Sequence, residues 1–394
     1  MDMTFDSKIC LAIASVGVAT VIAATGIVVI LRTPWLESHA VYMHRLKLTE
    51  GKDLDKPEQF GFAHNQVSPF YIETDDAVKL YTWHVLPLGL YHMHYQQLAR
   101  RRVRSPIAED FMKTLNFQLL KDDPESRLVI HTHGSSGALA AYARADTYRY
   151  MSALAPGKIH VLAFDYRGFG HSTGSPTEEG LRADVQSVYK WVTEVAMVSP
   201  ERIVVFGQSM GAGPAISLVR ELSLHHISVA GLVVTGAITG VPECLTEYRV
   251  LGLRVLPIGR FPALVSWLTG SMRNKWPNKD RLMDIVRHGA RYHIEIFHAE
   301  DDPIVPWYLS DEFFQCAVTA SWDGTMSKVE FEQKKGASRT DMGEGGWFAE
   351  WRTAKGLIRQ EVTRYGVHDK IMSHPQVAMA VYRAFQSANP LFMT

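Results

Sequence analysis

A series of short apolar runs most constrains what this chain can fold into. They are Arg127–His133, Ile159–Phe164, Arg202–Phe206, Val229–Thr235 and Tyr292–His298. Each is rich in β-branched residues and lacks polar alternation, the pattern of a strand buried on both faces. Helix-period segments lie between several of them, as at Leu181 to Val195 and Ala212 to Leu224. Strand–helix alternation with such strands predicts an α/β fold with a mostly parallel, doubly wound sheet. Phe70–Thr74 and Val78–Trp83 alternate instead, and predict an antiparallel edge hairpin turning at Asp75 and Asp76. The 394 residues suit one large α/β domain with additions, and 46% hydrophobic content is enough to fill its core.

The charge balance is even, 41 basic against 41 acidic residues. That argues against a nucleic-acid partner, which would draw on a basic domain. The local run Arg100-Arg101-Arg102 with Arg104 reads as a solvated helix end or loop. The cysteines Cys10, Cys244 and Cys316 form no metal-ligand spacing, and no metal or cofactor is expected.

Residues Ile9 to Leu31 contain no charged side chain. A run of about 23 residues is long enough to cross a hydrocarbon core as a helix. The preceding residues 1–8 are not basic, which favours an uncleaved single-pass anchor over a cleaved signal. Arg32, Arg45 and Lys47 follow the span against Lys8 before it, a bias that places the large domain in the cytoplasm. A polar connector over residues 32–57 leads to the catalytic domain at 58–394.

Gly207-Gln208-Ser209-Met210-Gly211 follows directly on the apolar run ending at Phe206, and a helix pattern follows it. Strand, tight turn and helix are what a nucleophile elbow needs, with Gly207 and Gly211 removing side chains that would clash there. Ser209 is the expected nucleophile. A serine hydroxyl is a poor nucleophile until an imidazole accepts its proton, and a carboxylate fixes that imidazole.

In this arrangement the acid and then the histidine come later in the chain. The run ending at His298 leads into Glu300-Asp301-Asp302, and Asp302 is the expected acid, with Asp301 as alternative. Downstream of Asp302 only His368 and His374 remain of the 17 histidines. His368 follows the strand-like Leu357–Thr363 and is the expected base. His374 opens the last amphipathic helix, Val377 to Phe385, as a surface residue. The oxyanion donors are expected to be the backbone N–H groups of Met210 and of Ser135, with Ser136 next, in the loop His131–Gly137. His131, His133 and Asp165 are read as structural, and Arg167 as a brace between loops.

The stretch Val250–Leu268 is dense in large apolar residues. It reads either as a helix packed on the core or as part of a lid over an acyl pocket spanning about 240–285. A second insertion, about 319–355, is polar and Gly-containing and is expected to be a surface excursion.

His133-Gly134, Asp165 to Gly170, Gly207 to Gly211, His298 to Pro306 and Gly366 to Lys370 together resemble the ABHD12/Bem46 branch of the α/β hydrolases, from about Phe60 to the C-terminus. The resemblance implies Ser209, Asp302 and His368 as the triad. It also implies an integral membrane lipase of the endoplasmic reticulum acting on lysophospholipids or monoacylglycerols, with its catalytic domain lumenal. The absence of Asn-x-Ser/Thr sequons and the flanking charges depart from that pattern, and the long second insertion is similar to fungal members. The residues also accommodate an esterase, thioesterase or acyltransferase acting on a small metabolite, or a non-catalytic binding protein of the same fold.

Overall fold

In a computed structural model of the chain, residues 25–101, 107–154, 157–250, 253–254, 258–322, 324 and 326–393 are described. The strands are β1 (Val67–Glu73), β2 (Lys79–Val85), β3 (Arg127–Thr132), β4 (Ile159–Phe164), β5 (Ile203–Gln208) and β6 (Gly231–Thr235). They continue with β7 (Arg249–Val250), β8 (Leu253–Arg254), β9 (Tyr292–Ala299), β10 (Arg339–Asp341), β11 (Trp347–Thr353) and β12 (Gly356–Thr363). All but the β7–β8 hairpin join one sheet, in the order β1-β2-β4-β3-β5-β6-β9-β12-β11-β10.

The central run from β4 to β12 is parallel throughout. β1 and β2 form the expected antiparallel hairpin at one edge. Each apolar run of the sequence is a strand, and alternate residues feed opposite faces. Ile203 and Val205 enter one core, and Val204 and Phe206 enter the other. Both cores are closed by helices. Glu178–Lys190, Ala212–Leu224 and Asn278–His288 cover the first face through Leu181, Ile216 and Leu282. Arg144–Ser152 and Pro375–Ala388 cover the second through Tyr148 and Phe385. This double burial is why the strands carry no polar alternation. The helix expected to run to Val195 is α-helical only to Lys190 and widens to a π turn over Trp191–Val195.

Several expectations are corrected. The insertion at 319–355 is not a surface excursion. β11 pairs antiparallel with β12, β10 pairs with β11, and Trp347 is buried in the core. Of the expected lid, the helix Asn278–His288 packs as an ordinary core helix through Leu282, Ile285 and Val286. The short helix Pro262–Thr269 buries only Leu268 and Thr269, so it is packed on the core at its end alone.

The connector is also part of the fold. Pro34–Tyr42 is a helix, and Tyr42 is fully buried. Glu37 is buried as well, and accepts hydrogen bonds from the N–H groups of Arg273 and Asn274 and from Asn274 Nδ2. The expected membrane span lies mostly outside the described residues. Its end, residues 25–32, is helical, and Leu31 enters the core. Among the described residues, no helix is long and apolar enough to cross a membrane. Arg102 and Arg104 also lie outside the described residues, while Arg100 and Arg101 are exposed as expected. Cys244 and Cys316 are free thiols.

Replacing Glu37 by Ala strands buried backbone donors of the segment after Pro262–Thr269, at a cost of about 1–3 kcal/mol for each unsatisfied group. Urea unfolding of Glu37→Ala is therefore expected to show a loss of about 2 kcal/mol or more. A loss within about 0.5 kcal/mol, the range of ordinary surface changes, would show the connector to be dispensable to the fold.

Candidate active site

The loops at the carboxyl ends of β3, β5, β6, β9 and β12 meet at one edge of the parallel sheet, the usual place for ligands in such sheets. Ser209 follows β5 at the tip of the turn into Ala212–Leu224. Its φ is +54°, a left-handed conformation uncommon for a residue with a side chain, and it lifts the hydroxyl out of the strand line. The flanking glycines are required by contact. A Cβ on Gly207 would stand 2.7 Å from Ala212 Cα, and one on Gly211 would collide with the carbonyl oxygens of Thr132 and His133.

Asp302 lies in the loop after β9, and His368 on the short helix Val367–Lys370 that follows β12. Those two strands are parallel neighbours, with Val362 opposite His298 and Thr363 opposite Ala299, so their following loops emerge side by side. His368 Nδ1 lies 2.7 Å from Asp302 Oδ2, and His368 Nε2 lies 2.9 Å from Ser209 Oγ. With Nδ1–H donating to the carboxylate, the neutral ring keeps its Nε2 lone pair for the serine proton. Ser209, Asp302 and His368 are each less than 9% exposed, so this chain of hydrogen bonds is shielded from bulk water. Burial pulls the His368 pKa down, but the hydrogen bond and charge of Asp302, with Asp369 adding, outweigh it and raise it above 6.5. Burial opposes ionisation of Asp302, yet His298 and His368 hold its carboxyl below the usual carboxylate range.

The loop after β3 reaches the same place. A Cβ on Gly134 would stand 3.1 Å from Ser209 Cβ. Nearly every N–H of this loop already has an acceptor. Gly134 donates to Gln208 Oε1 at 2.8 Å and Ser136 to the Tyr42 carbonyl at 2.9 Å. Gly137 and Ala138 donate to the carbonyls of Leu46 and Lys47, and Leu139 to Asp165 Oδ1. Among the described residues, only the N–H of Ser135 between Gly134 and Leu139 has no partner. Ser136, the alternative, is thereby occupied. The Met210 N–H opens the turn after Ser209, where first-turn donors have no acceptor within their own helix.

The other sequence candidates fall outside the hydrogen-bonded set. His374 stands just before the last helix, Pro375–Ala388. Asp301 accepts the Val367 N–H at 2.9 Å, which braces the backbone just before His368. His131 bonds to Tyr148 Oη, and burial drives the pKa of both His131 and His133 down, so they are neutral structural groups. Asp165 is fully buried beneath the β3 loop, and Arg167 bridges Asp184 and Asp76.

Some contributors were not singled out from the sequence. Gln208 joins the Gly134 N–H to Asp369, across the site. His298 Nε2 lies 3.1 Å from Asp302 Oδ2 and 2.9 Å from the Val305 carbonyl, so its N–H supports the carboxylate opposite His368. Gly236, after β6 at φ +55°, faces His368, where a Cβ would stand 3.2 Å from the ring. Of these, Gln208 and His298 carried a signal, their places inside the elbow motif and the run His298 to Pro306.

The family model described as serine aminopeptidase, S33, matches residues 123–290. The chain is 25% identical over 313 residues to lysophosphatidylserine lipase ABHD12 of Danio rerio, covering 77% of this chain and 72% of that one. It is 26% identical over 283 residues to protein ABHD12B of Homo sapiens, covering 71% and 69%. Among solved structures, an alpha-beta hydrolase from Vibrio vulnificus superposes with a TM-score of 0.56 at 14% identity, covering 89% of this chain and 93% of that one, and shows the fold. The chain thus has the fold of the α/β hydrolases and is similar to the ABHD12 proteins and, over residues 123–290, to the serine aminopeptidase family.

Proposed function

We propose that the protein is a membrane-anchored lipase that cleaves the carboxylic ester of a monoacyl lipid, of the lysophospholipid or monoacylglycerol class, through an acyl-enzyme on Ser209. The observation that carries this reading is the unbroken chain from Asp302 through His368 to Ser209, at 2.7 and 2.9 Å. His368 accepts the serine proton as Oγ attacks the ester carbonyl, and Asp302 stabilises the imidazolium that forms. The N–H groups of Ser135 and Met210 receive the negative charge that develops on the carbonyl oxygen. His368 then protonates the departing alcohol. Water, deprotonated by the same ring, releases the fatty acid and restores Ser209.

The substrate class follows the ABHD12 relatives named lysophosphatidylserine lipase. Membrane attachment is supported by the uncharged run Ile9–Leu31 and by what surrounds its end. Arg32 lies over the ring of Trp267 at 4.8 Å. Trp267, Leu264 and Phe261 are exposed on and beside the short helix Pro262–Thr269, and Trp35 is exposed on the helix that follows the run. Tryptophans and a basic residue at the mouth of an apolar segment match the headgroup level of a bilayer. The exposed apolar residues of Pro262–Thr269 are then the lipid-facing part of the lid expected at about 240–285.

Ser209→Ala is expected to abolish fluorophosphonate labelling and to lower lysophospholipid hydrolysis by at least about 10,000-fold. Equal labelling of variant and wild type would exclude Ser209 as the nucleophile. Turnover of a soluble ester with no turnover of any lysolipid or monoacylglycerol would exclude the lipase assignment.

The rate depends on neutral His368, whose pKa lies above 6.5. The acid limb of the pH–rate profile should therefore have its midpoint above 6.5 and fall towards lower pH, and Asp302→Asn should move that midpoint down. An acid limb that Asp302→Asn leaves unmoved would contradict the assigned geometry. Gly236→Ala presses a methyl group against the His368 ring, at 3.2 Å, and is expected to lower kcat, by less than the roughly 100-fold that a 1 Å misplacement can cost. Wild-type kcat in this variant would show that the ring has room to spare.

A further inference from the structure

The loop after β3 is held from two sides, and one side is a buried cation. Arg144, the first residue of the helix Arg144–Ser152, is completely buried. Its Nη1 donates to the Ala138 carbonyl at 2.7 Å. Its Nη2 lies 3.0 Å from the Ser136 carbonyl, 3.3 Å from the Gly134 carbonyl and 3.5 Å from the Ser135 carbonyl. Among the described residues, no carboxylate comes within ion-pair distance of the guanidinium. Burying an unpaired cation costs several kcal/mol, and a cation at a helix N-terminus also faces the positive end of the helix dipole. A neutral side chain would close this end of the helix without either cost.

The carbonyl of Gly134 and the N–H of Ser135 belong to one peptide unit. In a trans peptide these two groups point in opposite directions. The Gly134 oxygen accepts from Arg144 Nη2 and from His133 Nδ1, the latter at 2.8 Å. Donors on the oxygen side therefore turn the Ser135 N–H away from Arg144. They also draw electron density towards the oxygen, which strengthens the N–H as a donor. On the other side, the carbonyls of Tyr42, Leu46 and Lys47 occupy the N–H groups of Ser136, Gly137 and Ala138.

We infer that Arg144 is a positioning residue for the oxyanion hole, its guanidinium fixing and polarising the Gly134–Ser135 peptide so that the Ser135 N–H faces the oxygen of the substrate. The inference rests on Ser209 as nucleophile and assigns to Arg144 a role in the rate of the chemical step, with no contact to substrate. The segment 42–47 completes the clamp, so the chain between the apolar N-terminal run and the domain is part of the same device.

The test uses full-length Arg144→Lys and Arg144→Met. Active sites are counted by exhaustive fluorophosphonate labelling, so that misfolded protein does not enter the rate. Kinetics on 4-nitrophenyl butyrate and inhibition by an alkyl trifluoromethyl ketone, which forms a tetrahedral oxyanion on the serine, are then compared. Loss of one oxyanion donor typically costs about 100–1,000-fold, and Arg144→Met is expected to lower kcat about 100-fold with KM within about threefold of wild type. Affinity for the ketone should fall by a similar factor, and Arg144→Lys, which keeps the charge but reaches fewer carbonyls, should lie between. Wild-type kcat per labelled site in the variants, or a rise in KM alone, overturns the inference. If Arg144→Met yields no folded protein, Arg144→Lys decides alone: a kcat loss of about tenfold or more with an unchanged melting temperature supports it, and unchanged kcat overturns it. Undiminished turnover by Ser209→Ala, run alongside, would instead mean that the nucleophile reading has failed.

Discussion

The site depends on the backbone of Ser209 being held at a φ of +54° between a strand and a helix. A residue with a side chain occupies that conformation at a cost of order 1–3 kcal/mol, and persists in it only when its surroundings allow no alternative. Here the surroundings are close-packed peptide. Gly207 lies against Ala212, Gly211 lies against the carbonyls of Thr132 and His133, and Thr132 Oγ1 donates to the carbonyls of Phe206 and Gly211. The same contacts that fix the elbow bring the end of β3 alongside it. The loop after β3 therefore arrives at the serine as a consequence of the turn.

Order in that loop comes from hydrogen-bond accounting. Buried N–H groups need acceptors, and the loop takes them from distant parts of the chain: Gln208, Asp165 and the carbonyls of residues 42–47. Among the described residues, the N–H of this loop that remains unpaired is that of Ser135, next to Gly134, where a Cβ would stand 3.1 Å from Ser209 Cβ. An isolated unsatisfied donor at a site where negative charge develops is a preorganised one, because no bond has to break before it acts.

Much of this was legible in the sequence. The parallel strands declared themselves by apolar runs without alternation, because both faces are buried. The elbow, Asp302 and His368 were expected from chain order and from the small number of histidines left downstream, and the fold brings their side chains together. What escaped prediction acts across long sequence separations. The polar residues of 32–57 read as a solvated connector, because a buried Glu37 bonded to backbone 236 residues away leaves no local signature. The insertion at 319–355 read as a surface excursion because β10 and β11 lie at the sheet edge, where burial is partial and the apolar signal is weak. Arg144 carried no motif, His298 stood in one without a role of its own, and what each does exists only in the assembled loop and acid turn.

The most direct test of the account is mass spectrometry of protein quenched in acid within milliseconds of mixing with a lysophospholipid. The account predicts that the peptide containing Ser209 carries the mass of the fatty acyl group, and that the adduct is absent from Ser209→Ala. An acyl group on another residue, or turnover by Ser209→Ala with no covalent adduct, would contradict it.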